Sequence, residues 1–321
     1  MSLLQKVKVG FIGAGNIANA WHYPSVADCC DLAELAAICD LNQERLNSTA
    51  DKYGVAHRFT DLREMQERVE LDAVYCIGPP MMLLETVLPC LRAGKHVFTE
   101  KPLGMSARQA EQMAAAAEEN GCLTMVGFNR RHAYVIDRCK QMVDERGGPT
   151  QVVAEFHKYM LGQPPYYGMS IVLMDVIHSI DFMRHFCGDP VEVHSAVRRW
   201  HNDWDNVFNA LVVFEGGVVG MLTANRASGT RFERFEVHGR GIACFIRAPE
   251  RAEVWMDDAP EPIVLSGAEL AGSEDNRLTY GFLRESRHFL TCVRDGVQPL
   301  SNFADALKTM RLCEAIEQGT L

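Results

Sequence analysis

The sequence lacks the features of a nucleic-acid-binding, membrane or disulfide-stabilised protein. Its 321 residues carry 32 lysines and arginines against 42 aspartates and glutamates, and the net charge of −10 gives no basic surface for a polyanionic partner. No apolar run approaches the roughly 18 residues of a membrane span, and the 11 cysteines include no CxxC pair. We therefore expect no nucleic-acid partner, no membrane contact, no metal site and reduced, buried thiols.

Size and the N-terminal segment narrow the class further. The length and the 47% apolar content allow a full hydrophobic core and favour two domains over one. The segment MSLLQKVKVG has neither the long apolar core nor the cleavage site of a signal peptide, so we expect a cytoplasmic protein. The sequence shows no internal repeat and no low-complexity tract.

The first part of the chain alternates short β-rich runs with helix-like runs. This rhythm is typical of a doubly wound parallel sheet covered by crossover helices. One intervening run, SARQAEQMAAAAEENG, has Ser106 at a helix-capping position and Gly121 at its end. The predicted strands are VKVGFI, ELAAICD, AHRFT, DAVYCIG, KHVFTE and LTMVGF. We assign residues 1–127 to this α/β domain.

The rhythm changes after residue 127, which predicts a second domain over residues 128–321. Its middle, about residues 191–264, is rich in β-forming residues, and Gly216 and Gly217 predict the turn of a hairpin. HGRG at 238–241 predicts another turn. Helical periodicity returns in TYGFLRESRHFLTCVRDG and FADALKTMRLCEAIEQG.

The stretch GFIGAGNIA contains G-x-G-x-x-A at Gly13, Gly15 and Ala18, between a predicted strand and a predicted helix. Two glycines permit a tight turn and close approach of a pyrophosphate, and a helix N-terminus favours its negative charge. We therefore predict a dinucleotide site that includes the loop residues Ala14, Asn16 and Ile17. The alternative is a glycine-rich turn without a ligand.

Asp40 closes the second predicted strand, where a carboxylate can bind the hydroxyls of the adenosine ribose. A 2′-phosphate would lie against this carboxylate, and the next residues, Leu41 and Asn42, are not basic. NAD is therefore the expected cofactor, with NADP as the alternative. Asp40 could instead serve as the N-cap of the following helix.

The run AGKHVFTEKP ends the fifth predicted strand with Glu100, Lys101 and Pro102. Open α/β sheets bind ligands at this carboxyl edge, and the proline restricts the backbone of Lys101. Near a positively charged nicotinamide and shielded from water, Lys101 would have a lowered pKa and could exchange protons. The alternative is a surface lysine before a loop.

The stretch VLMDVIHSIDFM places Asp175, His178 and Asp181 three residues apart in an apolar run. On a helix, such steps put the three polar groups on one face. These polar side chains could line a functional site, or they could form the solvent-exposed edge of a helix that has only a structural role.

Five motifs together resemble the Gfo/Idh/MocA oxidoreductase family: GFIGAGNIA, AGKHVFTEKPL, VGFNRR, IHSID and SNFADAL. The resemblance implies a Rossmann domain followed by an α/β domain with a large, mostly antiparallel open sheet. It also implies NAD(P)-dependent dehydrogenation of a CH–OH group in a sugar, polyol or related molecule. Lys101 and His178 match the residues that lie beside the nicotinamide and the substrate hydroxyl, and Pro79 matches one that shapes the nicotinamide loop. The open sheet predicts a homo-oligomer.

The sequence departs from this family's pattern at two positions. The usual D-x-G-x-H aspartate is Met174 here, so Asp175 and Asp181 are alternative carboxylate partners of His178. The histidine that often follows the family's T-P-N/D stretch is missing from GPPMMLLE. Loop side chains that could contact a sugar are Tyr166, Tyr167, Trp200, Asp203 and Trp204. The alternative for the aromatic ones is packing between the two domains.

Two other protein classes share this architecture and also need the glycine loop: NAD-retaining glycosidases and non-enzymatic dinucleotide-binding regulators. The two departures from the family's pattern, Met174 and the missing histidine, favour the regulator. Retention of Lys101 and His178 favours the dehydrogenase, which is our prediction.

Overall fold

A computed structural model describes residues 6–319, so the first five residues of the N-terminal segment analysed above lie outside the described residues. The chain forms two compact units. The first extends to Gly127 and also contains Phe282–Leu307, and the second contains Phe128–Gly281 and the chain from Lys308 onward. The chain first passes from the first unit to the second after Gly127, the position of the predicted boundary. The return of residues 282–307 to the first unit differs from the prediction.

The first unit contains a six-stranded sheet in the order β3-β2-β1-β4-β5-β6, and every pair is parallel. This confirms the predicted doubly wound sheet. The order reverses between β1 and β4, where such sheets bind ligands at their carboxyl ends. The strands are β1 (Val7–Ile12), β2 (Ala33–Cys39), β3 (His57–Phe59), β4 (Ala73–Cys76), β5 (His96–Glu100) and β6 (Thr124–Gly127).

Helices cover this sheet, and the first follows a π-helical segment, Ala18–His22. The helices up to β6 are α1 (Tyr23–Asp28), α2 (Gln43–Tyr53), α3 (Leu62–Arg68), α4 (Leu83–Arg92) and α5 (Ala107–Glu119). Ser106 caps α5 as predicted, because its hydroxyl accepts a hydrogen bond from the Gln109 amide.

Stacked aromatic rings fill the core of the first unit. Phe11 stacks on Tyr23 and Tyr75 at centroid distances of 4.1 and 4.8 Å, and Tyr75 stacks on Phe98 at 4.6 Å. Phe289 packs its edge against Tyr75 and Phe98 at 5.5 and 5.7 Å. Burial of this late phenylalanine among strand side chains explains why its helix belongs to the first unit.

The second unit contains an eight-stranded sheet in the order β14-β13-β12-β11-β7-β10-β9-β8. Among the strand pairs of this sheet within residues 6–319, only β7–β10 is parallel, which confirms the predicted mostly antiparallel sheet. The predicted hairpin joins β9 to β10, and Gly216 and Gly217 have φ angles of 78° and 82°. The strands are β7 (Pro149–Tyr159), β8 (Pro190–Arg198), β9 (Val207–Phe214), β10 (Val219–Asn225), β11 (Ala227–Gly239), β12 (Ile242–Arg247), β13 (Arg251–Met256) and β14 (Ile263–Ser266).

Helices pack on one face of this second sheet. Phe182 stacks on Phe235 of β11 at 3.9 Å. On β9 and β10, the paired side chains of Leu211 and Met221 are exposed. Oligomerisation through this sheet stays a prediction. The remaining helices of the chain are α6 (Tyr134–Asp144), α7 (Ile177–Cys187), α8 (Gly267–Ala271), α9 (Asn276–Thr279), α10 (Phe282–Asp295) and α11 (Phe303–Gln318).

All 11 cysteines are free thiols, and Cys30 alone among them is exposed. Over residues 6–319, no helix combines the length and apolar character needed to cross a membrane.

Candidate active site

The loop after β1 has the geometry that a dinucleotide site requires. Gly13 has a φ of 105°, and a Cβ there would lie 2.0 Å from the Ile77 carbonyl oxygen, so only glycine fits. A Cβ on Gly15 would meet nothing within 4 Å. The protein therefore does not need glycine at position 15 for its own packing. The open space there suits close approach of a ligand pyrophosphate to the backbone.

Hydrogen bonds brace this loop from three sides. Asp40 Oδ2 accepts from the Ala14 amide at 2.7 Å, and Asn19 Nδ2 donates to the Ala14 carbonyl at 2.9 Å. The Tyr23 hydroxyl donates to the Gly13 carbonyl at 3.1 Å. Helical structure begins at Asn16, and the neighbouring Ile17 side chain is half exposed. The loop is held in shape before any ligand binds.

Asp40 is buried at the end of β2, and its second oxygen accepts from the Asn42 amide at 2.7 Å. Asn42, not Asp40, caps α2, because its side chain accepts from the Arg45 amide. Arg45 also lies 3.1 Å from Asp40 Oδ1. Sequence reasoning missed this cation, because it considered only the residues directly after Asp40. A helical turn brings Arg45 back to the strand end.

Asp40 and Arg45 give a test of cofactor preference. We expect NAD to bind more tightly than NADP, because a 2′-phosphate would be repelled by the buried Asp40 carboxylate. Asp40→Ala should reduce the difference between the affinities for NAD and NADP. Arg45→Ala should weaken NADP binding more than NAD binding. Isothermal titration calorimetry with both cofactors measures this, and Arg63→Ala on α3 serves as the control. Equal or tighter binding of NADP by the unmodified protein would contradict the expectation.

Pro79 follows β4, Glu100 is the last residue of β5 and Lys101 follows it, all at the same carboxyl edge of the sheet. Glu100 Oε2 accepts from the Lys101 amide at 3.1 Å, and Glu100 Oε1 lies 2.8 Å from Nε2 of the fully buried His22. The Lys101–Pro102 peptide is cis. The roles of these residues toward a cofactor stay predictions, but the Glu100–His22 pair fixes the strand end that carries Lys101. His22 was missed by sequence reasoning.

A carboxyl group of α10 is fully buried near Glu100. Glu285 of α10 is 0% exposed, and neither of its carboxyl oxygens has a hydrogen-bond partner among residues 6–319. Burial raises the pKa of Glu285 well above its usual value, and the charge of Glu100 raises it further. Glu285 therefore keeps its proton at pH values where an exposed glutamate has lost it.

This raised pKa predicts a pH dependence of stability. The folded protein binds a proton on Glu285 between the unfolded-state pKa, about 4.3, and the higher folded-state pKa. Within that window the free energy of unfolding should fall as pH rises, by about 1.4 kcal/mol per pH unit. Glu285→Gln should remove this contribution. Urea denaturation across the pH range checks it, with the exposed Glu118→Gln as the control, and equal pH dependence in all three proteins would refute it.

In the second unit, Asp175 lies in a π-helical segment, Val172–Val176, directly before α7, which carries His178. Both residues are 8% exposed. Asp175 Oδ1 accepts from Lys158 Nζ at 2.5 Å, and Oδ2 lies 2.8 Å from a terminal nitrogen of the fully buried Arg226. Asp175 is therefore held between two cations. Sequence reasoning missed both, since alternation along a strand does not reveal ion pairs with a distant helix.

Asp181 belongs to a different network. Both of its oxygens accept from the Arg131 guanidinium, at 2.6 and 2.8 Å, and Oδ1 also accepts from the Thr309 hydroxyl at 3.0 Å. Arg184 donates to the same hydroxyl at 2.8 Å. The predicted polar stripe is therefore divided: Asp175 and Asp181 are engaged by separate sets of partners.

The predicted loop residues belong to the second unit, and the Tyr166 amide donates to the Met174 sulfur at 3.3 Å. A cavity of about 490 Å³ is lined by residues that include Asp203 and Trp204, whereas Tyr166, Tyr167 and Trp200 are exposed. Their contact with a substrate stays a prediction. Across residues 6–319, no three histidine, cysteine, aspartate or glutamate side chains converge as metal ligands.

Two segments of the chain match known protein families. Residues 7–128 match an oxidoreductase family described as an NAD-binding Rossmann fold, GFO_IDH_MocA. Residues 136–241 match the GFO/IDH/MocA C-terminal domain. The two matches cover most of the chain: the first contains all six strands of the first sheet, and the second contains β7 to β11 of the second sheet.

Individual proteins resemble the chain over nearly its full length. Myo-inositol 2-dehydrogenase of Thermotoga maritima is 26% identical, over 98% of this chain and 96% of its own. dTDP-3,4-didehydro-2,6-dideoxy-alpha-D-glucose 3-reductase of Actinomadura kijaniata is 30% identical, over 98% and 95%. The structure of levoglucosan dehydrogenase in complex with NADH and levoglucosan superposes with a TM-score of 0.84 at 20% identity, over 98% and 97%. That structural likeness is one of fold.

Proposed function

Because the chain belongs to the Gfo/Idh/MocA family of NAD-binding oxidoreductases, we propose that it transfers a hydride between a CH–OH group and NAD. The substrate is a sugar, a polyol or a related small molecule. The names of two relatives, a myo-inositol dehydrogenase and a dTDP-sugar reductase, support this class. The glycine loop is the observation that carries the proposal, since the open space over Gly15 lies between β1 and the helical structure that begins at Asn16, where a pyrophosphate can approach the backbone.

The residues of the first unit fit NAD. Gly13 and Gly15 allow the pyrophosphate to approach backbone amides, and Asp40 offers a carboxylate to the ribose hydroxyls. The bound nicotinamide supplies the hydride acceptor. Pro79, Glu100 and Lys101, at the ends of β4 and β5, are the residues we assign to the nicotinamide end.

We assign the proton chemistry to His178 and Lys101. Hydride leaves a carbon more readily when its oxygen carries negative charge, so a base must take the hydroxyl proton. Imidazole has a free pKa of about 6.5, which suits a base near neutral pH. Lys101 would stabilise the charge that develops on the oxygen or pass the proton outward.

Of the two candidate carboxylates, we favour Asp175 as the partner of His178. Asp181 already accepts three hydrogen bonds, two from Arg131 and one from Thr309. Asp175 lies one helical step from His178, where its negative charge favours the imidazolium form against the opposing positive charges of Lys158 and Arg226.

A direct assay tests the proposed function. The purified protein is incubated with NAD and a panel of inositols, alditols and aldoses, and the near-ultraviolet absorbance of NADH is followed. We expect NADH to form with at least one substrate. If no alcohol of the panel yields NADH, and no ketone is reduced at the expense of added NADH, the proposal is wrong.

A further inference from the structure

Four basic side chains of the second unit share two carboxylates. Arg226 and Lys158 both contact Asp175, as described above, and Arg130 and Arg231 both contact Glu233. We call these six residues the cationic cluster: Arg130, Lys158, Asp175, Arg226, Arg231 and Glu233. They come from β7, β11, the turn before β11, and the segments that precede α6 and α7.

The ring of Phe156 organises the cluster. The charged ends of Lys158, Arg226 and Arg231 lie 4.8, 4.5 and 5.7 Å from its centroid. Arg226 also donates to the Phe156 carbonyl oxygen. Cations are attracted to an aromatic face, but three like charges around one ring repel each other. Three positive charges therefore lie close together around the Phe156 ring.

The cluster carries more positive than negative charge. Four cations face two carboxylates, which leaves an excess of two. One further carboxylate lies nearby: the exposed Glu250 influences the pKa of Tyr280, as do Arg130 and Arg231. When Glu250 is included in the count, the cluster still has an excess of one positive charge. Charges in a protein interior are ordinarily paired. Here each of the four cations has a carboxylate partner, but because two carboxylates serve all four, the cluster keeps a net positive charge.

Two of the four cations are inaccessible and two are accessible. The side chains of Arg226 and Arg130 are 0% and 10% exposed, whereas those of Lys158 and Arg231 are 25% and 54% exposed. Burial lowers the pKa of Lys158, Asp175 opposes this, and the charges of Arg226 and Arg231 lower it further. The positive charges of Arg226 and Arg231 therefore act on the amine of Lys158, which borders solvent.

Resting on the proposed function, we propose that the substrate carries a carboxylate besides its reacting hydroxyl, and that Lys158 and Arg231 bind this carboxylate. A hydroxylated acid, such as a sugar acid, has this chemistry. Arginine binds a carboxylate through paired N–H donors. The excess of one to two charges suits a monoanion. Lys158 contacts Asp175, three residues before His178, so the bound acid would lie beside the candidate base.

The test compares acids with matched neutral molecules. D-Galacturonate is paired with D-galactose, and D-gluconate with sorbitol, since each pair differs only at one terminal carbon. Calorimetric titration with NAD present measures binding, and NADH absorbance measures turnover separately. We expect at least one acid to bind about tenfold more tightly than its neutral partner. Arg231→Gln should reduce this ratio about tenfold, and Lys158→Met should reduce it as well. Arg251→Gln, an exposed arginine of β13, is the matched control.

The binding and turnover measurements distinguish failure of the carboxylate inference from failure of the proposed function. If neither acid binds more tightly than its neutral partner, or if Arg231→Gln leaves acid affinity unchanged, the inference is overturned while the proposed function can stand. If an acid binds through Arg231 but no alcohol of any kind reduces NAD, the carboxylate site stands and the proposed function falls. An equal loss of acid binding in Arg251→Gln would also overturn the assignment, because the effect would then be general surface charge.

Discussion

Replacing Lys101 by alanine is expected to lower the turnover number by about 10² or more, the usual range for a lost acid–base group. Lys101 follows β5 at the carboxyl edge of the first sheet and is partly exposed, so its truncation should leave the melting temperature nearly unchanged. Steady-state kinetics on the substrate identified by the NADH assay, with thermal denaturation in parallel, provide the measurement.

A matched lysine separates catalysis from general charge. Lys52 is exposed on α2 of the same unit, and Lys52→Ala should leave turnover unchanged. NAD affinity of the Lys101 variant, measured by calorimetry, reveals whether the loss is in binding instead. Turnover within a few-fold of the unmodified protein would remove Lys101 from the mechanism.

Replacing His178 by asparagine is the second change with a large expected effect. Asparagine keeps a polar side chain of similar size on α7 but cannot take a proton near neutral pH. We expect turnover to fall by about 10² or more and the acidic limb of the pH–rate profile to disappear. NAD affinity should remain nearly unchanged, since the glycine loop belongs to the other unit.

The two aspartates serve as comparisons for His178. Asp175→Asn removes a negative charge and leaves the positive charges of Lys158 and Arg226 uncompensated, both of which disfavour an imidazolium. The acidic limb should therefore move to lower pH. Asp181→Asn breaks the bidentate pair with Arg131 and should cost stability without moving the limb. A shift with Asp181→Asn and none with Asp175→Asn would reverse our choice of partner.

Local patterns predicted much of the fold. The six strands of the first sheet could be located because each is a short β-rich run between helix-like segments, and the Gly216-Gly217 turn because a positive φ requires such residues. The membership of α10 in the first unit could not be predicted. Its apolar face is compatible with either sheet, and only the packing of Phe289 against Tyr75 and Phe98 decides it.

The candidate site was predicted where a motif lies within one short segment. Gly13, Gly15 and Asp40 occupy the expected positions after β1 and β2. The partners of Asp175 could not be found in this way, because Lys158 and Arg226 lie on other strands and turns and the ion pairs form only in the folded sheet. The π-helical segment before α7 has no sequence signal of its own.

Deuterium transfer tests the central claim, net hydride transfer from a substrate carbon to NAD, most directly. The protein is incubated with NAD and a substrate that is deuterated at the reacting carbinol carbon, and the reduced cofactor is isolated for mass spectrometry. We predict one deuterium in each NADH formed and an equal amount of oxidised product. Release of nitrophenol from an aryl glycoside without accumulation of NADH, or binding of NAD without any reaction, would contradict the account and indicate a retaining glycosidase or a regulator.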